Sequence, residues 1–171
     1  MIDLETMGNN SYSPIISIGA VYFDKTGTGS RFYEKVSLDS CLKCGMKPDA
    51  STILWWLKQS DDARKEFEEN ECHSSISVVL RAFSAFCIDS AIVWGNGADF
   101  DIVILKNAYG LNGISIPWKY NNVRCFRTLK AFFPDIQVND VGLTEHNALC
   151  DAVWQANYAV EILKKLEGNK Q

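Results

Sequence analysis

The sequence predicts an α/β fold in which a mixed sheet carries helices on both faces. Two observations predict it. The chain opens with three segments rich in β-forming residues, and it then alternates apolar strand-like segments with amphipathic helical segments. The chain has 171 residues, of which 47% are apolar. This length and composition predict one domain, residues 1–171, with a sizeable core.

Strands are predicted where β-branched and aromatic residues are bounded by turn residues. Residues 1–6, 15–23 and 31–38 are expected to form an antiparallel meander, with a turn over residues 24–29 that contains two glycines. Two later strands are expected at 91–94, closed by Gly95, and at 122–126. The prediction is therefore five strands.

Helices are predicted from apolar periodicity and from end signals such as Pro48 and Pro134. They are expected at residues 49–59, 61–69, 75–88, 100–109, 128–133 and 148–166. Apolar stripes support the third of these (positions 76, 79, 80, 83, 86 and 87) and the last (149, 152, 153, 156, 160 and 163). Segment 61–69 is charged and is expected to be exposed.

Charge and cysteine usage exclude several classes. The net charge of −4 argues against a sequence-independent duplex clamp, which needs a basic face. No apolar run reaches ~18 residues and no basic–apolar leader is present, so a cytoplasmic protein with reduced thiols is expected, with no membrane partner. Cys41 and Cys44 form a single CxxC, which Cys72–His73 would complete only by coincidence, so no zinc site is expected. Either residues precede Met1, or the first strand begins at the terminus.

Four acidic residues and one histidine carry the functional signal: Asp3, Glu5, Asp101, His146 and Asp151. Each lies beside apolar sequence, where an isolated carboxylate is costly to bury. A pair of divalent cations would stabilise all four acids and would bring the formal charge from −4 to zero. Two cations held by carboxylates, with a histidine nearby, suit phosphodiester hydrolysis.

Their spacing is consistent with one site. Asp3 and Glu5 are two apart, so on a strand they share a face, and Asp101 follows a strand and a glycine-containing turn at the mouth of the sheet. His146 and Asp151 are five apart, about 140° on a helix, so His146 is expected on the preceding loop. Each residue also has a plain alternative: a surface pair for Asp3 and Glu5, helix caps for Asp101 and His146, and a solvated charge for Asp151.

Taken together, three segments resemble the exonuclease motifs of the DEDDh 3′–5′ exonucleases: residues 3–6 (DLET), 96–101 (NGADFD) and 146–152 (HNALCDA). The resemblance implies an RNase H-like five-stranded mixed sheet. Residues 52–60 (TILWWLKQS) look like a narrower branch, the small phage and bacterial exonucleases related to the RNase AS-like exoribonucleases. Two features depart from the motifs. The second motif usually has one acidic residue after Phe, but here Asp99 and Asp101 flank Phe100, and Asp99 is expected as a helix cap or an outer partner. The first motif often continues with Thr-Gly, but here Met7-Gly8 follows Thr6.

The resemblance also implies roles. Two Mg²⁺ or Mn²⁺ ions are expected ~3.5–4 Å apart. Asp3 would bridge them, Glu5 and Asp151 would complete the shell of the first, and Asp101 would hold the second. His146 would act as the general base for the attacking water, and the products would be 5′-mononucleotides.

The expected partner is the 3′ end of single-stranded DNA or RNA, and a homodimer stays open. Trp55 or Trp56 is expected to stack on the terminal base, although both could be core residues. Among the remaining substrate residues, Gln59 is expected at a base edge, and Arg127 with Arg124 and Lys130 at phosphates. Four more are expected around the 3′ end of the nucleic acid: Thr6, Met7, Gly8 and Asn96. The basic residues could equally be solvated.

Two other functions compete. An RNase H-like endonuclease would also place carboxylates on a mixed sheet, but it would release internal fragments. A non-catalytic nucleic-acid-binding module on the same fold would have no physical need for converging carboxylates. The sequence does not separate DNA from RNA, because no residue is identified that would read a 2′-hydroxyl.

Overall fold

The computed structural model describes residues 1–67, 73–97, 99–138 and 146–168. Its strands are β1 (Ile2–Thr6), β2 (Ile15–Asp24), β3 (Gly27–Lys35), β4 (Val93–Gly95) and β5 (Val123–Cys125). Its α-helices are α1 (Leu38–Lys43), α2 (Ala50–Trp56), α3 (Asp61–Arg64), α4 (Ile76–Phe86), α5 (Asp101–Leu111), α6 (Phe126–Ala131) and α7 (Ala148–Gly168). Short 3-10 helices cover Lys65–Phe67 and Tyr120–Asn122.

The first sheet is the predicted antiparallel meander, in the order β1-β2-β3. Its β2–β3 turn is tighter than the predicted 24–29, because β3 already begins at Gly27, whose φ is +148°. Asp24 builds this turn by accepting hydrogen bonds from the backbone N–H and the hydroxyl of Thr26 (2.7 and 2.6 Å). The prediction placed the third strand too late in the chain.

The predicted single five-stranded sheet is not what the structure has. In the described chain, β4 and β5 form a separate two-stranded parallel sheet, and no ladder joins it to the meander. β1 and β4 nevertheless lie near each other. The Leu4 N–H donates to Asp101 Oδ1 at 3.2 Å rather than to a neighbouring strand. One ladder position of β1 is therefore occupied by a side chain that belongs to the candidate site.

The helices pack on the two faces of the first sheet, and each face has its own apolar core. Ile2, Leu4, Ile18 and Ala20 pack with buried residues of α4 and α5. Met1 and Val21 pack with buried residues of α6 and α7. Because side chains alternate across a strand, Asp3 and Glu5 must face the α7 side. None of the described helices is both long and apolar enough to cross a membrane.

Gly19 allows α7 to approach the sheet closely. A Cβ built on Gly19 would lie 2.1 Å from the backbone carbonyl carbon of Ala148, the first residue of α7. Gly19 also pairs with Asp3 across the β1–β2 ladder. The missing side chain therefore brings the first turn of α7 directly over the strand that carries Asp3 and Glu5.

The charged segment predicted as an exposed helix over 61–69 behaves differently. It forms the short helix α3 and then a 3-10 turn, and positions 68 and 69 lie outside the described residues, as does Cys72. Glu66 is only 5% exposed. The prediction of exposure was wrong at this residue, because charge alone does not reveal which side chain will find hydrogen-bond donors in the interior.

Candidate active site

Asp3, Glu5 and Asp151 converge. One ligand atom from each lies within 4.8 Å of the others. β1 supplies the first two from one strand face, and the first turn of α7 supplies the third. We call these three residues the carboxylate cluster. Three carboxylate oxygens at such separations match the preference of Mg²⁺ and Mn²⁺ for hard oxygen ligands.

The cluster is electrostatically strained as it stands. Burial, followed by the charges of Asp101, Glu5 and Asp151, raises the pKa of Asp3 well above its ordinary range. Burial, followed by the charge of Asp151, raises the pKa of Glu5 to about 8. The ion pairs found among the described residues involve neither Asp3 nor Glu5. A divalent cation would supply the missing positive charge, so the residues present fit a metal site.

Gln155 adds a second reason to expect a cation. Its side chain is 2% exposed, and Nε2 donates to Asp3 Oδ1 at 2.7 Å. Its Oε1 is buried and finds no hydrogen-bond partner among the described residues. A buried orphan acceptor normally indicates a missing water or ion. The signal available in the sequence was the spacing, since Gln155 lies one helical turn after Asp151.

Asp101 lies beside the cluster but is bound differently. It is the first residue of α5 and is 2% exposed. Oδ1 accepts the Leu4 N–H and Oδ2 accepts the Asn96 N–H at 2.9 Å. Burial raises its pKa to about 6, against the lowering effect of these hydrogen bonds and of the Arg127 charge. Asp101 therefore joins β1, β4 and α5 at the site, and its charge reaches Asp3 and Glu5.

Asp99 does not take the predicted cap position. The N-cap of α5 is Phe100, which makes no side-chain cap hydrogen bond. Asp99 is exposed.

His146 lies on the turn before α7, as its spacing from Asp151 predicted. Its φ is +60°, in the left-handed region that non-glycine residues rarely adopt. Its ring packs edge-on against Trp55, with centroids 4.9 Å apart, and more distantly against Trp56 at 6.1 Å. The alternative of His146 as helix cap is wrong. Asn147 takes that place, because its Oδ1 accepts the Cys150 N–H at 3.0 Å.

The two tryptophans have separate roles. Trp56 is 3% exposed, its Nε1 donates to the Thr6 carbonyl at 3.0 Å, and its ring packs against Phe67. It is a core residue, which is the alternative that the sequence left open for either tryptophan, and stacking on substrate by one of the pair stays a prediction. Trp55 is 42% exposed beside the His146 ring. Adjacent helical residues point about 100° apart, so one of the pair had to turn inward.

Four of the predicted substrate residues make contacts within the protein itself. The Thr6 hydroxyl donates to the Gly8 carbonyl at 2.6 Å. Met7 packs against the cluster around Trp56. Gly8 is buried, and a Cβ there would lie 2.5 Å from Ser13 Oγ. Gln59 Nε2 donates to the Trp55 carbonyl at 3.1 Å. Their contact with a substrate stays a prediction.

Among the basic residues, Arg127 is the one placed at the site. It is exposed, and its guanidinium lies 3.7 Å from where a Cβ of Gly97 would be, beside the second motif. Arg124 donates to the carbonyls of Asn121 and Val123, and the ammonium of Lys130 lies over the rings of Trp154 and Tyr158. The structure thus gives Arg124 and Lys130 local partners, whereas Arg127 acts electrostatically on Asp101.

Comparison with known proteins decides the family. The model of the Rv2179c-like 3′–5′ exoribonuclease domain matches residues 1–163. The chain belongs to this 3′–5′ exonuclease family. It is also 30% identical over 155 residues to a protein of Enterobacteria phage T4 named exodeoxyribonuclease, an alignment that covers 75% of this chain and 68% of the phage protein. The predicted exonuclease family is thereby confirmed.

The sequence did not reveal a second group of polar residues next to the candidate site. Glu66 accepts hydrogen bonds from the Tyr33 hydroxyl (2.9 and 2.8 Å) and from Asn147 Nδ2 (2.6 Å). Asn147 Nδ2 also reaches the Tyr33 hydroxyl at 3.2 Å. No spacing rule connects positions 33, 66 and 147, so only tertiary packing could reveal this group.

Proposed function

We propose that this exonuclease is of the DEDDh type, and that it hydrolyses single-stranded nucleic acid from the 3′ end to 5′-mononucleotides with two Mg²⁺ or Mn²⁺ ions. We also propose that residues 1–171 act as one domain. The convergence of Asp3, Glu5 and Asp151 within 4.8 Å carries the proposal. It brings together residues from both ends of the chain that have no structural need to meet.

The carboxylate cluster, together with Asp101, would hold the cations. When bound, such ions activate the attacking water and stabilise charge developing on the phosphate. Gln155 fixes one oxygen of Asp3 and so orients the remaining lone pairs. The two backbone hydrogen bonds to Asp101 fix that carboxylate in the same way.

His146 would accept the proton of the attacking water. A general base must be held in one orientation, within hydrogen-bonding reach of the proton that it removes. The Trp55 and Trp56 rings supply that orientation on one side. The left-handed backbone of His146 supplies it on the other, since it turns this residue off the axis of α7.

The terminal base would stack on Trp55, whose ring is part-exposed beside His146. Stacking tolerates any base, because every base has an aromatic face. Arg127 would neutralise a backbone phosphate next to the second motif. With one aromatic ring and one described arginine at the site, grip on a single strand is favoured over grip on a duplex.

The family is named for RNA and the phage relative for DNA. We therefore propose single-stranded 3′ ends of either polymer as substrates.

The test is a mass-resolved digest. Matched 5′-labelled single-stranded RNA, single-stranded DNA and duplexes are incubated with Mg²⁺, Mn²⁺ or EDTA. The expected result is a ladder shortened one nucleotide at a time, 5′-mononucleotide release, and no reaction in EDTA. Internal fragments would instead favour the RNase H-like endonuclease. Tight binding without hydrolysis in excess Mg²⁺ would favour a non-catalytic binding module.

Two variants separate the assigned roles. His146→Ala is expected to lower kcat by about 10²–10⁴-fold, because a general base contributes that much, while Mn²⁺ binding measured by calorimetry stays nearly unchanged. Asp151→Asn is expected to abolish both metal binding and hydrolysis. Loss of Mn²⁺ affinity in His146→Ala, or its retention in Asp151→Asn, would contradict the assignment.

A further inference from the structure

Glu66 is a buried carboxylate with no cationic partner among the residues that the structure describes. It lies in the 3-10 turn Lys65–Phe67 and is 5% exposed. Ion pairs within the described residues do not include it. Its charge is instead held by neutral donors: Tyr33 donates to the carboxylate group, and Asn147 Nδ2 donates to Oε1. Such burial is costly and is maintained only where the surrounding structure holds both donors in place.

Asn147 is the residue through which this carboxylate reaches the reaction centre. Its Oδ1 caps α7 by accepting the Cys150 N–H, and its carbonyl accepts the Asp151 N–H at 3.0 Å. Its Nδ2 is the group bound to Glu66. The amide therefore joins Glu66 to the first turn of the helix that carries Asp151.

His146 is gripped from two sides by the same region. It directly precedes Asn147, and its φ of +60° needs outside support, because an L-residue there is strained. On the other side its ring meets Trp55 and Trp56, and the Trp56 ring packs at 4.8 Å against Phe67, the neighbour of Glu66. One short turn, residues 65–67, thus contacts both supports of the His146 conformation.

We propose that Glu66 is a positioning residue for His146: together with Tyr33 it holds Asn147, and so fixes the left-handed turn that presents the imidazole to the attacking water. This inference rests on the proposed function. Glu66 touches no substrate in this scheme and acts only through Asn147. Its effect is therefore expected on kcat and not on KM or on metal affinity.

The central test is Glu66→Gln, with Glu34→Gln as matched control. Glutamine removes the negative charge and replaces one acceptor oxygen with an NH₂ donor, so the charge-assisted hydrogen bonds from Tyr33 and Asn147 become weaker, neutral ones. We expect kcat to fall about 10-fold or more, as small misplacements of catalytic groups do, with KM and calorimetric Mn²⁺ affinity within about twofold of wild type. Glu34 is exposed next to Tyr33 on β3, and its replacement is expected to change nothing.

A double-mutant cycle separates positioning from general structural support. In a His146→Ala background, Glu66→Gln is expected to cause no further loss, because the group that it positions is gone. A full additional loss in that background would overturn the inference. A fall in Mn²⁺ affinity would overturn it in another way, by making Glu66 a metal ligand through its proximity to Glu5.

Tyr33→Phe keeps the inference testable if Glu66→Gln does not fold, as judged by circular dichroism. It removes one donor and leaves the Asn147–Glu66 hydrogen bond, so a smaller fall in kcat, about threefold to 10-fold, is expected, again absent in the His146→Ala background. Tyr120→Phe, at an 87% exposed position, is the control. Unchanged kcat in Tyr33→Phe would overturn the inference. Failure of wild-type hydrolysis would instead reject the proposed function, so the two failures are distinguishable.

Discussion

At the scale of single residues, polar side chains that contact the carboxylates are expected to support the candidate site without contacting substrate. Gln155 is the main example. It donates one hydrogen bond to Asp3, and its side-chain oxygen is buried without a hydrogen-bond partner in the described structure. Outer partners of metal ligands typically change affinity or activity by about 10–100-fold when they are removed.

Gln155→Met is therefore expected to weaken Mn²⁺ binding about 10-fold. Methionine is close in shape, so the fold should persist, but Asp3 would lose the donor that orients it. Isothermal calorimetry measures the change. Asn157→Leu, an amide of the same helix lying at a separate cavity, is the control and should bind Mn²⁺ normally. Equal affinities in wild type and Gln155→Met would show that Asp3 is oriented by other means.

Trp55 and Trp56 give a second prediction at this scale. Trp55→Ala is expected to raise KM and lower kcat/KM about 10-fold, because base stacking contributes ~1–3 kcal/mol, and Trp55→Phe should recover most of the loss. Steady-state hydrolysis of a single-stranded oligonucleotide checks it. Leu54→Ala is the control, since Leu54 is exposed on the same helix and has no aromatic ring on which a base could stack. Equal losses in both alanine variants would argue for a general apolar surface.

At the scale of elements, one close approach assembles the site. α7 can bring Asp151 to β1 only because Gly19 leaves room for the backbone of Ala148. Asp101 makes a comparable junction, since it occupies a ladder position of β1 while it begins α5. In both places, a contact that assembles the candidate site replaces an ordinary packing or ladder contact.

Gly19→Ala is expected to destabilise the protein by about 1–3 kcal/mol, the usual cost of overpacking, and to abolish Mn²⁺ binding by shifting the first turn of α7. Gly110→Ala is the control. Gly110 lies in α5 with open space where its Cβ would be, so alanine should raise stability by about 1 kcal/mol. Urea unfolding and calorimetry measure both. Normal metal binding in Gly19→Ala would show that α7 can shift without disturbing the site.

At the scale of the whole molecule, the buried acids make stability depend on pH and on metal. The pKa of Glu5 is raised from its ordinary value of 4.5 to about 8. The folded metal-free protein therefore keeps a proton that the unfolded chain releases. This contribution to stability is complete below about pH 4.5 and is lost as the pH rises through about 8.

Glu5→Gln removes this titration. In EDTA, the Tm of the variant relative to wild type is expected to increase from pH 5 to pH 8, by roughly 2–8 °C for about 1–2 kcal/mol. The difference between the two proteins is the informative quantity, because burial lowers the pKa of the Met1 amine to about 5 and acts on both in the opposite direction. A Tm difference that does not vary with pH would contradict the shift.

Metal should change the Tm difference between Glu5→Gln and wild type in the opposite direction. At pH 8, Mg²⁺ at about 100 times its Kd should stabilise wild type by about 2.7 kcal/mol, and Glu5→Gln much less, because it lacks one ligand. Differential scanning fluorimetry with Mg²⁺ and with EDTA measures both. Equal stabilisation of wild type and variant would remove Glu5 from the metal site.

The sequence by itself predicted the exonuclease family and the residues of the candidate site. The acids and the histidine were identifiable because their types and local spacing follow the geometry of strands and helices. Asp3 and Glu5 had to share a strand face, and His146 had to precede the helix of Asp151. The antiparallel meander and the long α7 were predictable for the same reason, since periodicity is a local property of the chain.

Only the tertiary structure decided the rest, because it depends on contacts between distant segments. It turned Trp56 inward and left Trp55 exposed, and it buried Glu66 against Tyr33 and Asn147. It placed the Asp101 carboxylate at a ladder position of β1. It also divided the described strands between two sheets rather than one. No local pattern contains this information: whether a buried polar group is stable depends on partners that packing brings from elsewhere in the chain.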